Sequence, residues 1–237
     1  MKIDDPLGME LIRLARKLEL YEIRLIVGGG YGLLLKTKLS IETKLRTRID
    51  PFPAARSTDD LDFFLQAEIV ASGENFRTIQ SILDDDYEPI SNAKYYQFRK
   101  KEMIFGLSRP VKVDILAAPP ESPELIEVTD IDSRRIKPKG QETKLHARRC
   151  DEAVFVERTA IQIALTDSDG IVDVFVPHPF AYLFLKLNAL ADSIAEPRKE
   201  GKAPNHAFDI YRILAMMTEP EWNEAVKFAQ REGEHQQ

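Results

Sequence analysis

Residues 56–62 read Arg56-Ser57-Thr58-Asp59-Asp60-Leu61-Asp62 and run straight into Phe63-Phe64-Leu65. The apolar positions from Leu61 to Leu65 predict a strand over residues 60–65. Side chains two apart in a strand leave the same face, so Asp60 and Asp62 stand side by side while Asp59 faces away. Adjacent carboxylates repel unless a cation lies between them, and hard Mg²⁺ takes such oxygen ligands together with the phosphates of a substrate. A third acid, Asp114, lies within Val111-Lys112-Val113-Asp114-Ile115-Leu116, where apolar neighbours predict a core strand and a carboxylate needs a reason. Upstream, residues 23–27 form a short apolar run that ends in Gly28-Gly29-Gly30, after which residues 31–36 predict a helix. Glycines at a strand-to-helix turn let backbone N–H groups approach phosphate. Paired carboxylates, a phosphate-holding turn and a place to deprotonate an attacking hydroxyl are the parts that metal-assisted phosphoryl transfer requires.

Composition limits the alternatives. The 237 residues, 43% hydrophobic, suffice for one large domain or two small ones with a real core. With 33 basic against 39 acidic residues the net charge is −6, so any contact with a polyanion must be local. One cysteine, Cys150, excludes an internal disulfide or a cysteine cage for zinc, and the 4 histidines show no ligand spacing. The opening residues are amphipathic and no run of about 18 apolar residues occurs, which points to a soluble cytoplasmic protein without membrane contact.

Working outward, residues 6–20 predict a helix behind Asp4, Asp5 and Pro6, with Leu7, Leu11, Leu14 and Leu18 on one face. Residues 37–56 carry Lys38, Lys44, Arg46, Arg48 and Arg56 with two prolines, and read as an irregular basic insertion. Residues 74–83 predict a helix that Asp84-Asp85-Asp86 cap and end; residues 94–98 and 111–116 predict strands. Residues 124–150 are too polar and irregular to assign. Two β-rich runs, 153–165 and 171–176, flank a turn at residues 166–170. Three helices follow at 179–193, 207–217 and 221–231, with an exposed charged link at 196–202 between the first two. The expected organisation is α/β (α+β): a palm with a mixed sheet over residues 1–118, an irregular and β connecting region over 119–176, and a helical C-terminal lobe over 177–237.

The order Gly-Gly, Arg-x-Thr-x-Asp-x-Asp, Lys-Val-Asp-Ile resembles the polymerase-β-like nucleotidyltransferases, and specifically the AbiEii-type toxins of bacteria. In the C-terminal half Leu183-Phe184-Leu185-Lys186-Leu187 and Phe208-Asp209-Ile210-Tyr211 are similar to that family's Lys-Leu and Asp-Leu helices. The resemblance covers most of the chain except residues 118–150. It implies that Asp60 and Asp62 bind two metal ions, Mg²⁺ or Mn²⁺, that Asp114 binds the catalytic one, and that Gly28, Gly29 and Lys186 touch the triphosphate of an NTP, with Arg56, Thr58 and Asp209 completing the nucleotide site. The implied reaction moves a nucleoside monophosphate to a hydroxyl, with RNA, tRNA first, as acceptor and a cognate antitoxin as restraint. Transfer to a small molecule or a protein, or a non-catalytic interaction protein on the same fold, are the rival readings. Three departures stand out: Gly30 replaces a small hydroxyl residue, the gap from Gly29 to Asp60 is long, and Asn205 and His206 replace the first Lys and Asp before Asp209.

Several residues carry two readings. Lys186 either touches phosphate or covers core with its stem while its amine reaches water. Asp209 either serves the site or makes a helix-surface salt bridge. Lys38, Lys44, Arg46 and Arg48 either contact RNA, together with Arg198, Lys199 and Lys202, or merely solvate a loop. His178, between two prolines, shapes a helix entry, and Cys150 has no identifiable base to make it a nucleophile.

Overall fold

The structure, a computed structural model, describes residues 1–56, 58–107, 109–196 and 201–235, with side chains to residue 231. Helix α1 (Pro6–Glu19) begins where the Asp5 carboxylate accepts the Gly8 N–H and Pro6 fills the first turn; Leu7, Leu11, Leu14 and Leu18 are buried. A short strand β1 (Ile26–Val27) leads through Gly28 into α2 (Gly29–Glu42). The helix runs past the expected break at residue 37. The hydroxyls of Thr37, Ser40 and Thr43 each donate to the carbonyl four residues back, so the polar residues of this stretch are absorbed by the helix itself.

Strand β2 (Asp60–Phe64) is followed by helices α3 (Ala67–Ala71) and α4 (Gly73–Asp86), then β3 (Tyr87–Pro89), β4 (Gln97–Lys100) and β5 (Lys112–Ala117). The stretch that sequence leaves unassigned forms α5 (Pro123–Glu127), β6 (Thr129–Ile131), β7 (Arg135–Pro138) and β8 (Ala147–Arg149). These strands are three or four residues long, too short to show a period. Part of the run read as β is helical: α6 (Val154–Arg158) precedes the hairpin of β9 (Ile161–Asp167) and β10 (Gly170–Val176). Helices α7 (Pro179–Ala195), α8 (Ala203–Met216) and α9 (Glu219–His235) close the chain. Arg198 and Lys199 lie outside the described residues.

The ten strands of the described residues form one mixed sheet, ordered β6-β7-β8-β5-β2-β1-β10-β9, with β4 also on β5 and β3 on β4. The centre mixes directions: β1 is antiparallel to β2 and parallel to β10, and β2 is parallel to β5. The far edge of β5 is shared. Its first half pairs with β4, Gln97 opposite Asp114, and its last residues pair with β8, Leu116 opposite Arg148, so the sheet forks there. Strand alternation divides the two faces. Leu61, Phe63, Val113 and Ile115 pack into the core with Leu11, Phe76 and Ile79 of α1 and α4, which leaves Asp60, Asp62 and Asp114 on the opposite face. On that side α7, α8 and α9 pack together, with α8 also meeting α2. Among the described residues no helix is long and apolar enough to cross a membrane.

One ionic cluster fastens α1 to the β3–β4 hairpin. Glu10, 5% exposed, accepts from Arg13 at 2.6 Å, Lys100 at 2.9 Å and the Tyr87 hydroxyl at 2.5 Å. Burial pushes its carboxyl up, but the bonds from Arg13, Tyr87 and Lys100 overcome it and hold the group down to about 2. A folded-state value below the unfolded one means stability that is present above the unfolded value and lost as pH falls toward 2. Glu10→Gln is therefore expected to cost about 3 kcal/mol at pH 7, with the gap to wild type narrowing steadily between pH 5 and pH 2 in thermal or urea denaturation.

Candidate active site

The parallel register of β2 and β5 sets Asp62 opposite Asp114 and Asp60 opposite Lys112. Neighbouring strands lie about 4.8 Å apart, so the three acids share one small patch of a single sheet face. Lys112 Nζ stands 3.5 Å from Asp60 Oδ1 and answers that charge. Among the described residues Asp62 has no such partner. Burial and then the Asp114 carboxylate push its carboxyl up to about 6, against the opposing charges of Lys186 and Arg148. Burial likewise raises Asp114, with the Asp60 charge adding to it and a 2.9 Å bond from Gln97 Nε2 to Oδ2 working the other way. Asp114 Oδ1 is buried and has no hydrogen-bond partner. Among the described residues no group of three or more His, Cys, Asp or Glu side chains forms a ready-made cation cage.

The glycine turn abuts these acids. Gly28 N–H donates to the Asp62 carbonyl at 2.8 Å, which lays the start of α2 across the end of β2. Gly29 takes φ +56°, and a Cβ there would fall 1.7 Å from Asp62 Oδ2, so both the backbone and the space require glycine. The N-terminus of a 14-residue helix is thereby held against the carboxylate patch with its first N–H groups uncapped by any side chain. Gly30 faces Thr58, whose Oγ1 lies 3.4 Å from where a Cβ would stand. Thr58 thus brings a hydroxyl to the neighbourhood where Gly30 lacks one.

Behind the patch lies a charge cluster that joins the strand entry to the C-terminal helices. Asp209 on α8 is 1% exposed and receives both Arg56 Nη2 at 2.8 Å and Arg56 Nε at 3.2 Å, with Lys186 Nζ of α7 at 2.9 Å and Arg212 Nη1 at 3.9 Å. Burial alone would raise its carboxyl, yet Arg56 and Lys186 lower it. The surface salt bridge allowed by sequence is therefore replaced by a buried hub. Lys186 does not cover core with a solvated amine either: it sits between Asp209 and Asp62, bonded to the first and acting electrostatically on the second. Arg212 reaches Thr37 on α2 at 3.1 Å, and Lys36 pairs with Glu221, so the helical lobe grips α2 as well.

The remaining candidates sit elsewhere. Lys38 pairs with Asp5 at 3.0 Å, and Arg48 lies 4.2 Å over the Trp222 ring, so these two serve as internal braces. His178 caps α7, its Nδ1 accepting from the Phe180 N–H at 3.1 Å. Cys150 is burdened by burial and by Glu152, which push its thiol up to about 12 and make it a poor nucleophile. Lys112, Gln97 and Arg148 were not singled out by sequence reasoning. Lys112 and Gln97 could have been found, since each lies two residues from, or directly opposite, a predicted site position. Arg148 lies in the unassigned stretch and gave no signal.

No protein-family model matches the chain, and no curated protein matches it. Among solved structures it is similar to an antigenic nucleotidyltransferase-like protein from Paracoccidioides brasiliensis, with a TM-score of 0.48 and 16% identity over 97% of this chain and 89% of that one.

Because Arg56 and Lys186 both depend on one buried carboxylate, Asp209→Asn is expected to lower unfolding free energy by about 3 kcal/mol in urea titrations. Adding Lys186→Met to that variant is expected to restore part of the loss, since one stranded charge is removed.

Proposed function

We propose that this protein is a metal-dependent nucleotidyltransferase that moves a nucleoside monophosphate from an NTP to a hydroxyl of an RNA acceptor, the new bond from that oxygen to the α-phosphorus replacing the bond to pyrophosphate, which leaves. The observation that carries the reading is the register of β2 and β5, which sets Asp62 against Asp114 on the face turned away from the main core, with Asp114 Oδ1 buried and without a partner among the described residues. Natural proteins rarely keep a buried carboxylate oxygen without a partner or like charges opposite each other unless a ligand completes the site. The donor set is all oxygen and forms no closed cage, which suits Mg²⁺ or Mn²⁺ held jointly by protein carboxylates and substrate phosphate oxygens. Asp60, Asp62 and Asp114 would hold such ions. When bound, they would neutralise the charge that builds on the transferring phosphoryl group.

The chain's own groups supply the rest. The first N–H groups of α2 and the positive end of its dipole lie beside Asp62 and offer a cradle for the triphosphate. Gly28 and Gly29 keep that cradle open to the backbone, and Thr58 stands next to it. Lys186, anchored by Asp209, brings a fixed cation to the same edge, while Arg56 is held in reserve behind it by two bonds to the same carboxylate. Asp114 Oδ1, buried and without a hydrogen-bond partner among the described residues, would accept the proton of the attacking hydroxyl. The likeness of the motifs to AbiEii-type toxins extends the proposal to tRNA as the acceptor and to a toxin restrained by a cognate antitoxin.

The test is incubation of wild type and Asp62→Asn with each labelled NTP, Mg²⁺ or Mn²⁺ and total bacterial RNA, read on a gel. Label on a discrete RNA with wild type, reduced at least ~100-fold in the variant, is the expected result. Label on protein or on small molecules would move the acceptor class, and a protein that neither binds NTP nor transfers label would overturn the reading.

A further inference from the structure

Beyond Asp114 the same sheet face continues onto strands that the nucleotide cradle does not use. Arg148 on β8 is in register with Leu116, two residues after Asp114, and so shares the face of the carboxylates. It is exposed, and its charge acts on both Asp62 and Asp114. Among the described residues no carboxylate engages it directly, which sets it apart from the neighbouring cations. Arg135 on β7 is in register with Arg148, so it shares that face, and it bonds Asp132 at 3.0 Å; Lys137 pairs with Asp130 at 3.7 Å.

The fork in the sheet opens a cavity beside this row. Where β4 departs from β5 and β8 takes its place, the His146 N–H donates to the Tyr95 carbonyl at 2.8 Å and the two rings stack, centroids 4.4 Å apart and 4° from parallel. Arg135 lies 4.8 Å and Lys94 5.0 Å from the Tyr95 centroid. Tyr95, His146, Arg135, Lys137 and Thr143 line a cavity of about 470 Å³, within the range of small-ligand sites. His146 is 7% exposed, and its Nδ1 is buried without a partner. Burial drops its imidazole to about 4, so the ring is neutral and presents either a donor or an acceptor to a ligand. Of the three acids that line this cavity, Asp132 accepts the N–H groups of Arg134 and Arg135 in a turn and Asp130 faces Lys137, while Glu142 has no ion-pair partner among the described residues.

We propose that this cavity is the acceptor subsite, in which a base near the end of a single-stranded RNA enters beside the Tyr95–His146 stack and Arg148 holds its phosphate, directing the terminal hydroxyl toward Asp114. The assignment rests on the nucleotidyltransferase reading above. It divides the face into two halves, the nucleotide on the side of α2 and Lys186, the acceptor on the side of β8 and β7, with Asp114 between them. Flat rings beside an uncommitted guanidinium are the pairing by which proteins hold unpaired bases and their backbone. It also places the Arg148 charge next to the reaction, in a chain whose net charge of −6 would not gather RNA from a distance.

The experiment measures fluorescence anisotropy of a 5′-labelled single-stranded RNA, about ten nucleotides long, and of an abasic strand of equal length, with separate titration of Mg²⁺·NTP. Wild type is expected to prefer the RNA over the abasic strand by about tenfold. Tyr95→Leu is expected to erase that preference and to keep NTP affinity within about threefold of wild type, and Arg148→Gln to weaken both strands about tenfold with a shallower salt dependence. RNA binding unchanged in both variants, or absent from wild type, overturns the subsite. The nucleotide titration judges the parent reading independently: a protein that binds NTP but not RNA keeps that reading and loses this one.

Discussion

Two carboxylates facing each other across adjacent parallel strands are the constraint around which this molecule is arranged. Asp62 and Asp114 cannot be separated without breaking the register of β2 and β5, and that register is fixed by the alternation that puts Leu61, Phe63, Val113 and Ile115 into the core. A slip by one residue would bury the acids and expose the core. The repulsion is therefore built in, and the surroundings answer it piece by piece. Gln97 takes one oxygen of Asp114, Lys112 takes Asp60, and Lys186 and Arg148 both act on Asp62. The remainder is felt most by Asp62.

Asp209 plays the complementary part. It is a buried anion with more cations than it needs, whereas the patch has more anions than it can neutralise, and Lys186 stands between the two. Such a bridge costs desolvation, and a buried ion pair is seldom a net source of stability. Its gain is in orientation. The lysine is fixed at the edge of the carboxylate patch by the same contact that seats α7 and α8 behind the strand entry at Arg56. Position of the lobe and position of the cation are thus one variable.

Much of the site was legible because a strand has period two: Asp60 and Asp62, two apart, must share a face, and Asp114 among valines and isoleucine must be in a core strand. Pairing Asp62 with Asp114 was not legible, since register between strands separated by α3 and α4 has no local signature. The glycine turn was visible as three glycines, but only the approach of Gly29 to the Asp62 carboxylate explains why the middle one admits no side chain. Lys186 and Asp209 each read two ways because a helix period shows which residues are buried, not which charge on another helix they meet. Arg148, His146 and Tyr95 were lost for a different reason. Arg148 and His146 lie on or beside a strand of three residues, too short for any pattern, and Tyr95, inside the strand expected over residues 94–98, falls in the turn before a strand that begins only at Gln97; what unites the three is the fork in the sheet rather than anything in the chain's order.

The placement of β10 has a consequence for how the protein is made. Strand β1, two residues long, lies between β2 and β10, and its parallel partner Phe175 is far down the chain from Ile26. A chain emerging from the ribosome holds Asp60, Asp62 and Asp114 long before the hairpin that completes the centre of the sheet, and longer still before Asp209 arrives to fix Lys186. Contacts of such sequence separation form late and slowly. The nascent polypeptide therefore carries the three acids but not the frame that aligns them, which forms only once almost the whole chain is free to fold.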